Sequence, residues 1–162
     1  MNELRHYLNK LISEEVLAFE TYKVLNTNFS KKSKFEKSLI SMFDDISEDE
    51  YSDHAAKLIE YARSLNLEYP NCNAEYERFA SESAVKAFRV APKASDLSVQ
   101  LKYALDLERD AILSYREALS RAYECDEFDE KIISILVNNL KDEIEHFEKI
   151  SIALEGESEL KI

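Results

Sequence analysis

One glycine, two prolines and two cysteines are all that 162 residues hold of the types that break or brace a chain. So little glycine and proline excludes a sandwich or barrel, whose many tight turns demand them. Cys72 and Cys125 lie far apart without a C-x-x-C neighbour, which excludes a disulfide framework or a thiolate-ligated zinc and leaves plain thiols. No apolar run approaches membrane-spanning length, and the first turns are amphipathic with an acid at Glu3. Neither a membrane span nor a signal peptide is expected, and a reducing cytoplasm is the expected compartment. Basic residues are in the minority: 21 Lys and Arg against 33 Asp and Glu give a formal charge of −12. Nucleic acid and anionic membranes are therefore poor partners, and cations are suitable ones.

What the chain does have is helical periodicity, over four long segments. The expected helices run from about 2 to 28, 33 to 67, 96 to 124 and 128 to 155, all within one domain covering residues 1–162. The first carries the stripe Leu4, Leu8, Leu11, Glu15, Ala18, Tyr22 and Leu25, the alternating spacing of a bundle seam with a carboxylate in it. The second carries Ile40, Phe43, Glu50, His54, Leu58, Tyr61 and Leu65, after a short turn containing Lys31, Lys32 and Lys34. Leu101, Ala104, Glu108, Ala111, Tyr115, Ala118 and Ala122 mark the third, with Ser95 or Asp96 as its cap. Leu136, Leu140, Glu143, Phe147, Ile150 and Leu154 mark the fourth, with Gly156 at the expected C-cap and a short tail beyond. Residues 68–95 form a crossover in which Pro70 and Pro92 bracket a shorter amphipathic helix outside the main bundle. The fold class is all-α, an antiparallel four-helix bundle with a long crossover between its second and third helices.

The two halves repeat. Glu15-x-x-Ala18-x-x-x-Tyr22 matches Glu108-x-x-Ala111-x-x-x-Tyr115, with Glu108 93 residues after Glu15. Asp49-Glu50 matches Asp142-Glu143 at the same offset of 93. Four glutamates thus fall on inward stripes, one per long helix. Unpaired buried carboxylates protonate or repel, and cations placed among them remove that penalty. His146 stands at i+3 from Glu143, and His54 at i+4 from Glu50. A glutamate from each of two helices with a Glu–His pair from each of the others is a di-metal carboxylate pattern. Such ligands without thiolate suit iron or manganese, and zinc also binds them. The 93-residue offset pairs His146 with Asp53 and leaves His54 one residue late. His54 continues the inward stripe and is favoured; Asp53 stays as the alternative.

On these motifs the chain resembles the ferritin-like superfamily, bacterioferritin most closely and rubrerythrin second, along all four long helices. The resemblance implies a di-iron ferroxidase centre within one subunit of a homo-oligomer. Glu15 and His54 would bind one iron, Glu108 and His146 the other, and Glu50 and Glu143 would bridge. Tyr22 would hydrogen-bond a metal carboxylate across the bundle, with Tyr115 as its mate. Several departures accompany the resemblance. The second helix reads Glu50-x-x-x-His54 where the family has Glu-x-x-His. Tyr51 follows Glu50, and Met42 is the only internal methionine, so no haem is expected. Leu105 stands where rubrerythrins carry an extra glutamate, and no rubredoxin-type cysteines are present.

The function expected first is binding of two Fe(II) and their oxidation by dioxygen or hydrogen peroxide, for storage or detoxification. A rubrerythrin-like di-metal oxidase or peroxidase comes second, and a metal-free helical interaction protein third. His6 is expected on the surface, and the acids Asp44, Asp45, Glu48 and Asp49 are expected to form a solvated face.

Overall fold

The computed structural model describes residues 2–29, 33–67, 73–93 and 96–159. Its helices are α1 (Asn2–Thr27), α2 (Lys34–Glu48), a π-helical stretch (Asp49–Ala55), α3 (Ala56–Ser64), α4 (Asn73–Val90), α5 (Leu97–Ala122) and α6 (Glu130–Glu159). No strand occurs among the described residues. The segment α2–π–α3 is one rod, so four long rods make the bundle and α4 lies in the crossover.

Local chemistry sets the helix starts. Ser33 caps α2 in a capping box, accepting from the Glu36 amide while Glu36 reaches back to the Ser33 amide. Asp96 caps α5 through the Ser98 amide at 2.9 Å; Ser95, Cys72, Pro70, Lys31 and Lys32 lie outside the described residues. Asp129 accepts from the Ile132 amide at 2.9 Å as α6 begins. The second rod stops at Ser64, short of the expected residue 67, because Asn66 takes a left-handed φ of 54°. Leu65 consequently leaves the expected stripe and is 36% exposed.

Gly156 is not a C-cap: α6 continues through it to Glu159, and no glycine has a positive φ. A Cβ built on Gly156 would meet Phe35 Cε2 at 3.9 Å, an ordinary contact. Gly156→Ala is therefore expected to raise stability by about 0.5 kcal/mol, through the lower backbone entropy of the unfolded chain. Urea unfolding checks this, and a loss of stability would show that the position requires glycine.

Contacts across the bundle fix its directions. Tyr22 faces Glu108 and Tyr115 faces Glu15, so α1 and α5 are antiparallel. His54 faces Asp142 and His146 faces Asp49, so the α2–π–α3 rod and α6 are antiparallel. The crossover must therefore travel the length of the bundle. Its helix α4 stands outside the four rods, as expected, but packs along α1, with Ser83 and Ala87 buried and Ala91 buried just past its end. The Asn28 amide donates to the Pro92 carbonyl at 3.0 Å and ties the far end down.

Two apolar clusters fill the interior. One gathers Leu4, Leu8, Leu11, Ile12, Leu58, Tyr61, Ile132 and Leu136; the other gathers Tyr22, Leu25, Phe29, Leu39, Phe43, Leu101 and Ile150. Each fully buried aliphatic or aromatic side chain contributes about 1.5–3 kcal/mol, so the two clusters hold the rods around the layer between them. The buried line of α2 is Leu39, Phe43 and Ile46, and Ile40 lies half-buried beside it. In α6 the buried line is Ile132, Leu136, Asn139, Glu143, His146 and Ile150. Leu140, Phe147 and Leu154, expected inward, flank it half-buried, as do Ala18 in α1 and Ala111 in α5. Between the two clusters lies a polar layer.

Candidate metal centre

Glu15 of α1, Glu50 and His54 of the π-helical stretch, Glu108 of α5, and Glu143 and His146 of α6 make this layer, each at most 2% exposed. Their ligand-type atoms form two overlapping groups. Glu15, Glu50, His54 and Glu143 form one and Glu50, Glu108, Glu143 and His146 the other, with the chosen atoms of each within 4.8 Å of one another. Glu50 and Glu143 belong to both groups. All six residues expected from the sequence thus stand together.

The π-helical stretch accounts for the irregular spacing. A π-turn closes its hydrogen bond on the fifth residue, one further than an α-turn, and so takes up one additional residue per turn. Between Glu50 and His54 that residue brings the i+4 histidine to the place His146 reaches at i+3. His54 Nδ1 lies 2.9 Å from Glu143 Oε1 and 3.4 Å from Glu15 Oε2. Asp53 is half-buried at the rim, paired with Lys57, and with His54 and Asp142 it makes a third, more exposed group of ligand-type atoms. His146 Nδ1 lies 3.5 Å from both Glu50 Oε1 and Glu108 Oε2.

The outer ring nitrogens also have carboxylate neighbours. His54 Nε2 is 3.3 Å from Asp142 Oδ2, and His146 Nε2 is 3.3 Å from Asp49 Oδ2. An Asp on Nε2 fixes the ring and leaves Nδ1 as the inward donor. Asp49 is therefore more than part of a solvated face, whereas Asp44, Asp45 and Glu48 are exposed as expected. His6 is exposed and stacks edge-on with Tyr7, and Cys125 is a free thiol.

Tyr22 donates to Glu108 and Tyr115 donates to Glu15, each across the bundle. The Asn139 amide nitrogen in turn donates to Tyr115 Oη at 2.9 Å. Sequence reasoning passed over Asn139. The available signal was a polar residue one turn before Glu143 on the same seam.

Burial pushes the Glu50 and Glu143 carboxyls well above the usual carboxylate range, and neighbouring carboxylates push them further, Glu15 for Glu50, and Glu50 with Glu15 for Glu143. Burial pushes Glu15 the same way, but its contacts with Glu50, His54 and Tyr115 outweigh that and lower it. For His54 and His146 burial favours the neutral ring, yet the surrounding glutamates, Glu143 first for His54 and Glu108 first for His146, raise both. Burial and the adjacent carboxylates raise Tyr22 and Tyr115 well above 10.0, keeping both as phenols that donate.

These shifts predict an acid-favoured metal-free protein. The raised Glu50 and Glu143 contribute stability below about pH 4.5 that is lost as pH rises through their folded values. The raised histidines contribute below about 6.5 and lose it likewise on the alkaline side. The melting temperature of chelator-treated protein is therefore expected to fall between pH 5 and 9. The increment from added divalent metal is expected to grow over that range, because metal replaces protons. A metal-free melting temperature that rises with pH would contradict the arrangement.

The layer fits a cation pair on a further observation. Glu15 Oε2, Glu50 Oε1, Glu108 Oε2, both oxygens of Glu143, and Nδ1 of both histidines are buried without an aligned hydrogen-bond partner. Orphaned buried polar atoms are costly, and these seven belong to groups that ligate metals.

A family model for the ferritin-like domain matches residues 5–156, and the chain belongs to that family. No curated protein matches the sequence. No helix among the described residues is long and apolar enough to cross a membrane.

Proposed function

We propose that this chain binds two Fe(II) as substrate in the polar layer and oxidises them, acting as a ferroxidase in iron storage or detoxification. The observation that carries the proposal is the pair of four-residue groups sharing Glu50 and Glu143, with buried donor atoms that lack an aligned hydrogen bond. Glu15 and His54 would hold one ion, Glu108 and His146 the other, and Glu50 and Glu143 would be shared. Oxygen and imidazole donors without thiolate suit iron; manganese or zinc would also be held. Two Fe(II) supply one electron each. Dioxygen takes both with two protons to give hydrogen peroxide, or hydrogen peroxide takes both with two protons to give two waters.

The chain's own groups prepare this exchange. Burial favours the protonated forms of Glu50 and Glu143, and cations arriving in the layer displace such protons, which limits the change in net charge. Asp142 and Asp49 hold the two imidazoles with Nδ1 inward, and Tyr22 and Tyr115 hold the terminal carboxylates Glu108 and Glu15. The apolar clusters on both sides exclude bulk water. The Glu50-x-x-x-His54 spacing, the departure that favours a metal-free protein, is the spacing a π-turn accommodates.

Anaerobic Fe(II) titration of metal-stripped protein, followed by air, tests the proposal. Two Fe(II) per chain and a ferric absorbance on oxygenation are expected, with both lost in Glu108→Ala/Glu143→Ala. No stoichiometric uptake, or equal behaviour of the variant, would overturn it. Sustained peroxide turnover with an added reductant would move the chain to the rubrerythrin-like class.

A further inference from the structure

The internal repeat makes the two metal positions near-mirror images, and Asn139 breaks the mirror. Glu15 corresponds to Glu108, Tyr115 to Tyr22 and Asp142 to Asp49, all at the same offset of 93. By that offset the counterpart of Asn139 is Ile46, which is buried in the apolar cluster around Tyr22. Asn139 is fully buried, and its amide nitrogen donates to Tyr115 Oη at 2.9 Å. The Tyr115 proton goes to Glu15, so the phenol accepts on one side and donates on the other. Among the described residues the Tyr22 hydroxyl makes one hydrogen bond, to Glu108, and its ring packs on Phe43.

We infer that Asn139 is a positioning residue that makes the Glu15–His54 metal position weaker than the Glu108–His146 position. The inference rests on the two-metal reading above. A phenol that accepts from an amide is the stronger donor, since chained hydrogen bonds polarise one another. Tyr115 therefore draws more charge from Glu15 than Tyr22 draws from Glu108, and a carboxylate poorer in charge holds a cation less tightly. Stability does not explain the asparagine. Its Oδ1 is buried without a partner, a cost that the apolar Ile46 avoids at the equivalent place. An ion held less tightly on one side gives the centre a defined order of filling and release.

The test is calorimetric titration of the metal-stripped chain with Co(II) under argon, which reads binding without turnover. Wild type is expected to bind two ions with distinct stepwise constants. Asn139→Leu, close in shape and unable to donate, is expected to bring those constants about three- to tenfold closer, within the range outer partners exert on metal sites. Tyr115→Phe removes the whole relay and is expected to narrow the gap at least as much, after which adding Asn139→Leu changes nothing further. A merely structural asparagine would alter the melting temperature and leave the ratio of constants unchanged. Two ions with an unchanged or wider gap in Asn139→Leu would overturn this inference alone. Fewer than two ions in wild type would overturn the two-metal reading with it.

Discussion

Metal-stripped protein carrying Glu50→Gln and Glu143→Gln together is expected to lose less stability than metal-stripped wild type as pH rises from 5 to 8, and to lose two-ion binding. Glutamine has the shape of a protonated glutamate, the form that burial favours at both positions. The unfolded chain ionises these carboxyls once the pH exceeds about 4.5, the ordinary value for glutamate, whereas the folded chain holds their protons to higher pH. Above that value the folded state, in which burial raises both carboxyls, loses stability relative to the unfolded chain as pH rises. The amide carries no such penalty, so its advantage is expected to grow from pH 5 to pH 8. Both shared carboxylates are gone in this variant, so Co(II) titration is expected to show no stoichiometric pair of ions. Chemical denaturation at the two pH values reads the first effect. An equal loss of stability between the two pH values, or retention of both ions, would show that Glu50 and Glu143 are neither strained by burial nor shared.

The same tension explains why the centre is legible in the sequence. A glutamate among leucines on a seam has no structural reason to be there, and four of them at one internal offset have a common one. Glu15, Glu108 and Glu143 sit in regular helices, where counting residues locates a side chain within the 100° step of the helix. His146 follows from Glu143 by the same count. The expectation that α4 lies outside the main bundle also followed from chain length, because a connection of that size can span the rods. Which rod it covers did not follow: Ser83, Ala87 and Ala91 show a small-residue face, but nothing in that face names α1 as its partner.

Three features were out of reach for definite reasons. The rod ends at Ser64 because Asn66 goes left-handed, and asparagine gives only a preference for that conformation. Gly156 reads as a stop signal, yet the helix continues because the residues around it still have something to pack on, Phe35 among them. Asn139 looked unremarkable beside a conspicuous ligand pair, and its meaning depends on Tyr115, which lies on another helix. For Gly156 and Asn139 the deciding contact is tertiary, whereas the stripes are set by local period.

The π-turn is the fourth such feature and leads to the second large effect. Removal of Ser52 is expected to leave folding and two-ion binding intact, although it deletes a residue from the centre of the ligand-bearing rod. Ser52 is exposed and lies between Glu50 and His54, inside the stretch that holds one residue more than an α-helix needs. Its loss lets Asp49–Ala55 close as ordinary α-helix, giving the Glu-x-x-His spacing that Glu143 and His146 already have. Phe43 and Ile46 before the turn, and Leu58 and Tyr61 after it, keep their phase because the bulge alone absorbs the change. Removal of Ser41, exposed within the regular helix α2, has no such slack. It rotates the preceding turns by about 100° and takes Leu39 out of the core, at a cost of about 2–5 kcal/mol for that side chain alone. Thermal unfolding and Co(II) stoichiometry of the two deletions side by side separate the cases. If the Ser52 deletion bound fewer than two ions while still folded, the extra residue would be required by the ligands themselves, and the equivalence of His54 with His146 would fail.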